Sequence, residues 1–243
     1  MRTFLVCGRL HGNAKALEGL AQLAQERRPD AILFVGGIVD PAARAEAARD
    51  PQAAEERLKE DLIFMERFFQ ALGKTGAFAA VIPGPADAPL REFLRVGMNA
   101  EVEHPGVHVV HASLVTDKDL AVSGIGGEIT LADESGEPAV RVARATAEYF
   151  LRGLWRAEQP RKVLLLAQPP TGRLGGDEGN PIVTELIDSY HPFLCAVGGE
   201  TEHRGAERVA HTLVVNPGRL VSGSVAWVDV GKEPDEQVEF LDL

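Results

Sequence analysis

Five short runs of apolar residues, each stopped by glycine or proline, constrain this chain more than any other feature. They are "TFLVCG" at 3–8, "AILFVGG" at 31–37, "AFAAVIPG" at 77–84, "VLLLAQPP" at 163–170 and "FLCAVGG" at 193–199. Runs this short, without polar alternation and bounded by turn residues, read as strands buried on both faces, the pattern of a largely parallel sheet covered by helices. Between the first two lies "NAKALEGLAQLAQERR", in which Ala16, Leu17, Leu20, Leu23 and Ala24 share one helical stripe and Asn13 is placed to cap the first turn. A strand, a helix and a strand joined by a short return at Pro29 predict a parallel βαβ unit with helices covering the sheet. The ends of those two strands, 8–12 and 36–40, then lie side by side on the edge where open α/β sheets bind ligands.

The rest of the chain continues this order with two interruptions. "PAARAEAARDPQAAEERLKE" and "DLIFMERFFQAL" predict a short helix, a break near Asp50–Pro51 and a long helix whose apolar face carries Leu62, Ile63, Met65, Phe68, Phe69 and Leu72. Pro83 and Pro85 force the third strand out of the sheet, and Asp87 is expected to start or cap the helix around "LREFLR". "GVHVVHASLVT" and "DLAVSGIGGEI" read as two strands joined by a "TDKD" hairpin, followed by an acidic loop "ADESGEP" and a helix from about 140 to 157. "NPIVTELIDSY" is a helix between the last two buried runs, and "HTLVVNPG", "GSVAWVDV" and "VEFLDL" read as antiparallel strands. No linker divides the chain, so residues 1–243 are expected to form one domain.

Charge and cysteine usage narrow the classes of function. With 25 basic against 36 acidic residues the chain carries −11, which disfavours a nucleic-acid partner but leaves room for a locally positive pocket. The apolar runs are too short to cross a bilayer, and a cytoplasmic protein without a membrane partner is expected. Cys7 and Cys195 lie inside apolar runs and read as small buried hydrophobes. His108 and His111 differ by an odd number along a predicted strand and so point to opposite faces; with His104 they form no convergent ligand set.

The strand ends taken together, "CGRLHGN", "VGGIVD", "IPGPAD", "LAQPP", "VGGETEH" and "VNPG", resemble the calcineurin-like metallophosphoesterases over nearly the whole chain. The resemblance implies a four-layer α-β-β-α sandwich with two mixed β-sheets and outer helices. It also implies a family that hydrolyses phosphate esters with two metal ions, held by strand ends reading D-x-H, G-D-x-x-D, G-N-H-D or G-N-H-E, a lone His, and G-H-x-H. This sequence departs from that pattern where the chemistry lies. Arg9 stands for the Asp of D-x-H while His11 keeps the His; Gly37 stands for the metal-bridging Asp while Asp40 keeps the outer carboxylate. Pro85 and Ala86 replace the ligand Asn and the catalytic His, Asp87 is retained, the lone His falls on Ala167 or Gln168, and Glu200 and Glu202 replace two ligand histidines.

Two divalent ions ~3.5–4 Å apart need a shared anionic ligand, which Gly37 cannot supply, and the Arg9 guanidinium has no lone pair to offer a metal. No inherited dinuclear site is therefore expected; His11, Glu200, Glu202 and His203 remain as donors for at most one divalent ion. The first reading is a catalytically degenerate member in which Arg9 pairs with Glu200 and Glu202. Its relic cleft, with Arg9, His11, Asn13, Asp40, Gln168, Glu200 and Glu202 as ligand-binding candidates, would hold a small phosphate-containing or other anion or a protein partner. The glycine turns at 36–37, 126–127 and 198–199 offer further backbone N–H groups. The alternative is an active phosphoesterase with an altered, mononuclear site, for which His11 and Asp87 are the catalytic candidates. A partner surface or homo-oligomer contact on the charged helix at 42–60 is a third use of the chain.

Overall fold

A computed structural model describes residues 1–132 and 139–243. In chain order the elements are β1 (Thr3–Cys7), α1 (Ala14–Arg27), β2 (Ala31–Phe34), α2 (Pro41–Ala47), α3 (Pro51–Thr75), β3 (Phe78–Val81), α4 (Leu90–Glu103) and β4 (Val107–Val109). There follow β5 (Leu114–Asp117), β6 (Leu120–Ile125), β7 (Glu128–Thr130), β8 (Arg141–Ala143), α5 (Arg144–Arg156), β9 (Arg161–Leu166) and α6 (Pro181–Tyr190). The chain closes with β10 (Leu194–Val197), β11 (Gly205–Val209), β12 (Thr212–Asn216), β13 (Ser224–Asp229) and β14 (Val238–Asp242).

The strands form two six-stranded mixed sheets, β14-β13-β1-β2-β3-β4 and β11-β12-β10-β9-β6-β5, with β7 and β8 as a separate parallel pair. In the first sheet β1 to β4 run parallel and β13 and β14 antiparallel; in the second β6, β9, β10 and β12 run parallel, with β5 and β11 antiparallel at the edges. The uninterrupted apolar runs have the consequence expected of them: alternate residues feed different cores. Leu5, Ile32, Phe34 and Val81 pack under Leu17, Leu20, Met65, Phe68, Phe69 and Phe93 of the first helical layer. Phe4, Val6, Leu33 and Ala80 face the other way, onto Val122, Val163, Leu165 and Ala196 of the second sheet. On that sheet's far side Leu164, Leu166 and Cys195 meet Leu151, Leu154, Val183 and Leu186 of α5 and α6. The result is the four-layer α-β-β-α sandwich.

Local signals acted as their chemistry dictates. The Asn13 side chain accepts from the Ala16 N–H, Asp40 and Asp50 cap α2 and α3, each ahead of a proline, and Asn180 caps α6 ahead of Pro181. Four expectations are corrected. The Asp87 carboxylate does not cap α4, whose N-cap is Pro89 without a side-chain bond. The stretch 106–116 is not one strand: β4 ends in the first sheet and the chain crosses at 110–113, so β5 lies in the second. β12 runs parallel to β10, and the antiparallel contact it makes is with β11. The predicted helix at 140–157 begins only at Arg144, because 141–143 pair with β7. Most of the predicted acidic loop, 133–138, lies outside the described residues. No helix among the described residues is long and apolar enough to cross a membrane.

Candidate functional site

Because β1, β2, β3, β9, β10 and β12 all end on the same side, their following loops converge. The loop after β1 is held against the loop after β2 by hydrogen bonds from the N–H groups of Arg9, His11 and Gly12 to the carbonyls of Gly36, Gly37 and Ile38, at 2.7, 2.9 and 2.7 Å. These bonds hold Arg9 and His11 at φ of 54° and 50°, a left-handed conformation that costs a residue with a side chain about 1–2 kcal/mol. Both side chains are thereby aimed into a cleft of about 170 Å³, whose opposite wall is Pro85, Ala86 and Ala167.

Beside the cleft, and joined to it through Arg9, lies a four-membered charged network. Arg9 donates from Nη1 to Glu200, and from Nη2 to Glu178 at 2.9 Å. Arg219 donates to the other oxygen of Glu200 at 3.2 Å, and its Nη2 lies 3.4 Å from His11 Nδ1. Glu200 is held between two guanidinium groups and is largely covered, whereas Glu178 is half exposed. Arg219 Nε is buried without a partner. Burial, followed by the repulsion of Arg219 and Arg9, pushes the His11 imidazole down to about 4, so it is neutral at physiological pH. Asn216, fully buried, fixes the turn that presents Glu200: its Nδ2 donates to the carbonyls of Leu174 and His203 at 2.9 and 3.0 Å, and its Oδ1 accepts from the Gly218 N–H.

The Asp87 carboxylate is turned away from the cleft. Fully buried, it accepts from the backbone N–H groups of Gly37, Ile38, Val39 and Gly84 at 2.7–2.9 Å. Burial raises its pKa and the four donors oppose that rise. The glycine turn at 36–37, read from the sequence as a cradle for an external anion, thus holds an internal one. The other turns are also engaged, Gly126 N–H with His111 Nδ1, Gly127 N–H with the Pro83 carbonyl and Gly198 N–H with the Leu166 carbonyl.

Several candidates lie outside the network. Asn13 and Asp40 are spent on helix caps. Gln168 Oε1 accepts from Ile129 N–H and Asn180 Nδ2, both at 2.8 Å, which ties β7 to the start of α6, and Ala167 is the residue that lines the cleft. Glu202 is exposed on a 3-10 turn and makes no ion pair with Arg9; Glu178 takes the place expected of it. The His203 ring packs over Gly176. Glu178 and Arg219 were missed: "GGDEGN" matches no motif, and Arg219 is marked only by following the strand-end turn "VNPG".

The residues present do not fit a pair of metal ions. Gly37 has φ 80°, and a Cβ built there stands 2.9 Å from Arg9 Cα, so the position has no room for a bridging carboxylate. The Asp87 oxygens are saturated by backbone donors, and Pro85, Ala86 and Ala167 have no side-chain donor atoms. Among the described residues no group of three or more His, Cys, Asp or Glu side chains converges as a metal centre requires.

Comparison with known proteins gives a consistent picture. The family described as metallophosphoesterase, calcineurin superfamily, matches residues 1–240. The crystal structure of a protein from Thermus thermophilus is 28% identical, with a TM-score of 0.83 over 99% of this chain and 98% of that one. A dimetal phosphatase from Danio rerio, 11% identical with a TM-score of 0.61, covers 99% of this chain and 98% of its own and shares the fold alone. No curated protein matches the chain.

Proposed function

The chain belongs to the metallophosphoesterases of the calcineurin superfamily, and we propose that it is a catalytically degenerate member that binds a small oxyanion in the relic cleft without metal. The observation that carries this reading is the arginine pair: Arg9 and Arg219 share Glu200, and Arg219 Nε is buried with no acceptor. A guanidinium fork matches a phosphate or carboxylate. Glu178 then acts as a placeholder on Arg9. Glu178 is itself half exposed, and an ion pair with an exposed partner is worth about 0–1 kcal/mol, so an incoming oxyanion displaces it at small cost, while Glu200, held by both arginines, stays. Hydrolysis is disfavoured by the cleft's composition. Ala86 stands where the resemblance places the group that protonates the leaving oxygen, a function worth ~10²–10⁴ in rate.

The test combines metal analysis of protein purified without chelator, hydrolysis of an aryl phosphate and a phosphodiester with added Mn²⁺, Ni²⁺ or Zn²⁺, and calorimetric titration with inorganic phosphate. Phosphate binding that is lost in Arg219→Met, without turnover, is the expected result. Uptake of two ions per chain with clear turnover overturns it.

A further inference from the structure

The walls opposite the arginines define what else the ligand carries. Pro85, Ala86 and Ala167 stand where the resemblance places polar ligands, and with Val35 they make an apolar slot beside Arg9 and His11. Four polar backbone groups of this wall are already engaged: Gly37 and Gly84 N–H with Asp87, the Pro85 carbonyl with Val140 N–H, and the Ala86 carbonyl with Arg44. A wall of apolar side chains with few free polar groups offers water little to bind and accepts apolar groups. At about 30 Å³ per water-sized group, its volume of about 170 Å³ takes roughly five or six such groups.

A second hollow adjoins the slot. It has a volume of about 320 Å³, and Pro41, Pro85 and Ala86 line both. Its remaining wall is the alanine-rich α2 with Ala54 and Leu58 of α3, and α2 buries none of its own residues, so it roofs a space that its small side chains do not fill. The two arginines on this wall are engaged, Arg44 with the Ala86 carbonyl and Asp61, Arg57 with Asp61. Among the described residues no free charge is left there to recognise a second polar group.

We infer that the ligand of this cleft is an amphiphilic oxyanion, a phosphate or carboxylate head on the Arg9–Arg219 pair with a short alkyl or similar apolar body in the slot lined by Val35, Pro85, Ala86 and Ala167. The inference rests on the oxyanion-binding reading above and adds the apolar body to it. Its test is a calorimetric series on the full-length protein: inorganic phosphate, then methyl, ethyl, butyl and hexyl phosphate, alongside carboxylates of the same chain lengths to distinguish the two heads. The expected result is a gain of about three- to fourfold per methylene until the slot is filled, the increment for burying a CH₂ group. A continued rise to hexyl phosphate marks entry into the second hollow. Ala86→Leu, which fills the slot, is expected to flatten the series; should that variant fail to fold, the wild-type slope decides alone. Equal affinity for inorganic and butyl phosphate overturns the apolar subsite and leaves the oxyanion reading standing. Absence of binding by every phosphate and carboxylate overturns both.

Discussion

The largely covered imidazole of His111 is held as an acceptor at one ring nitrogen. Its Nδ1 accepts from the Gly126 N–H at 2.9 Å, so protonation would set one donor against another, and burial pushes the group down to about 4. That is below the unfolded value near 6.5, so between about pH 4 and 6.5 the unfolded chain binds more protons, and stability falls as pH drops through that window. Between pH 7 and 5 the loss from this one residue is about 2 kcal/mol, and His111→Gln, which can keep the acceptor without the titration, is expected to lose correspondingly less. Urea denaturation of both proteins at the two pH values measures it; parallel losses would reject the assignment. A second residue-scale prediction concerns Glu178. Removing the placeholder charge in Glu178→Gln should tighten phosphate binding about fivefold, the equivalent of one competing exposed ion pair, and weaker binding would mean that Glu178 helps to build the site. Arg9 and Glu200 were legible in the sequence because each puts a fixed charge where the family pattern calls for a different group. Glu178 and Arg219 were not, since only the folded loops after β9 and β12 bring them to Arg9. Asp87 was legible as a retained carboxylate but misassigned: a carboxylate near a helix start serves equally as cap or as acceptor for a distant loop, and only the positions of residues 37–39 decide.

At the level of elements, α2 and the loop after β3 are fastened through one buried carboxylate. Asp61 of α3 is fully buried and accepts from Arg57 Nε at 2.8 Å, with Arg44 Nε 3.5 Å away; Arg44 in turn donates to the carbonyls of Ala86 and Ala88. Removing one member of a buried ionic cluster costs about 3–5 kcal/mol because the remaining charges lose their partner, and the partial exposure of both arginines puts the expected cost of Asp61→Ala near about 3 kcal/mol. Amide exchange should accelerate in 41–48 and 84–89 before it does in β1 or β2; a uniform change, or a loss under about 1 kcal/mol, would show that α2 is held by other contacts. The helices and buried strands were legible from apolar spacing and caps, because burial on both faces leaves a run without polar residues. The crossing at 110–113 was not, since Val107, Val109 and Val110 are buried in either sheet and composition carries no sign of which sheet a strand joins. β11, an edge strand that carries Glu207 and Arg208, lacks the apolar run that marked the others.

Across the whole molecule, the layer between the sheets is built jointly by β1, β2, β3 and β13 from one side and β6, β9, β10 and β12 from the other. Neither sheet can leave without exposing the inner face of its partner, and at about 25 cal/mol per Å² of apolar surface that exposure is large against the 5–15 kcal/mol by which domains are stable. Residues 1–243 should therefore unfold as one cooperative unit, in keeping with the absence of a linker in the sequence. The two tryptophans make this testable, since Trp227 is buried on β13 of the first sheet while Trp155 is 59% exposed on α5, which covers the second. Trp155→Phe leaves a fluorophore that reports on the first sheet and Trp227→Phe one that reports on the second. Urea transitions followed by fluorescence in each variant should each coincide with the loss of far-ultraviolet circular dichroism in the same variant. If fluorescence and circular dichroism separate in both variants, with one sheet melting before the other, the shared middle layer does not couple the two halves. The cleft, whose loops come from both sheets, would then be lost with the weaker half.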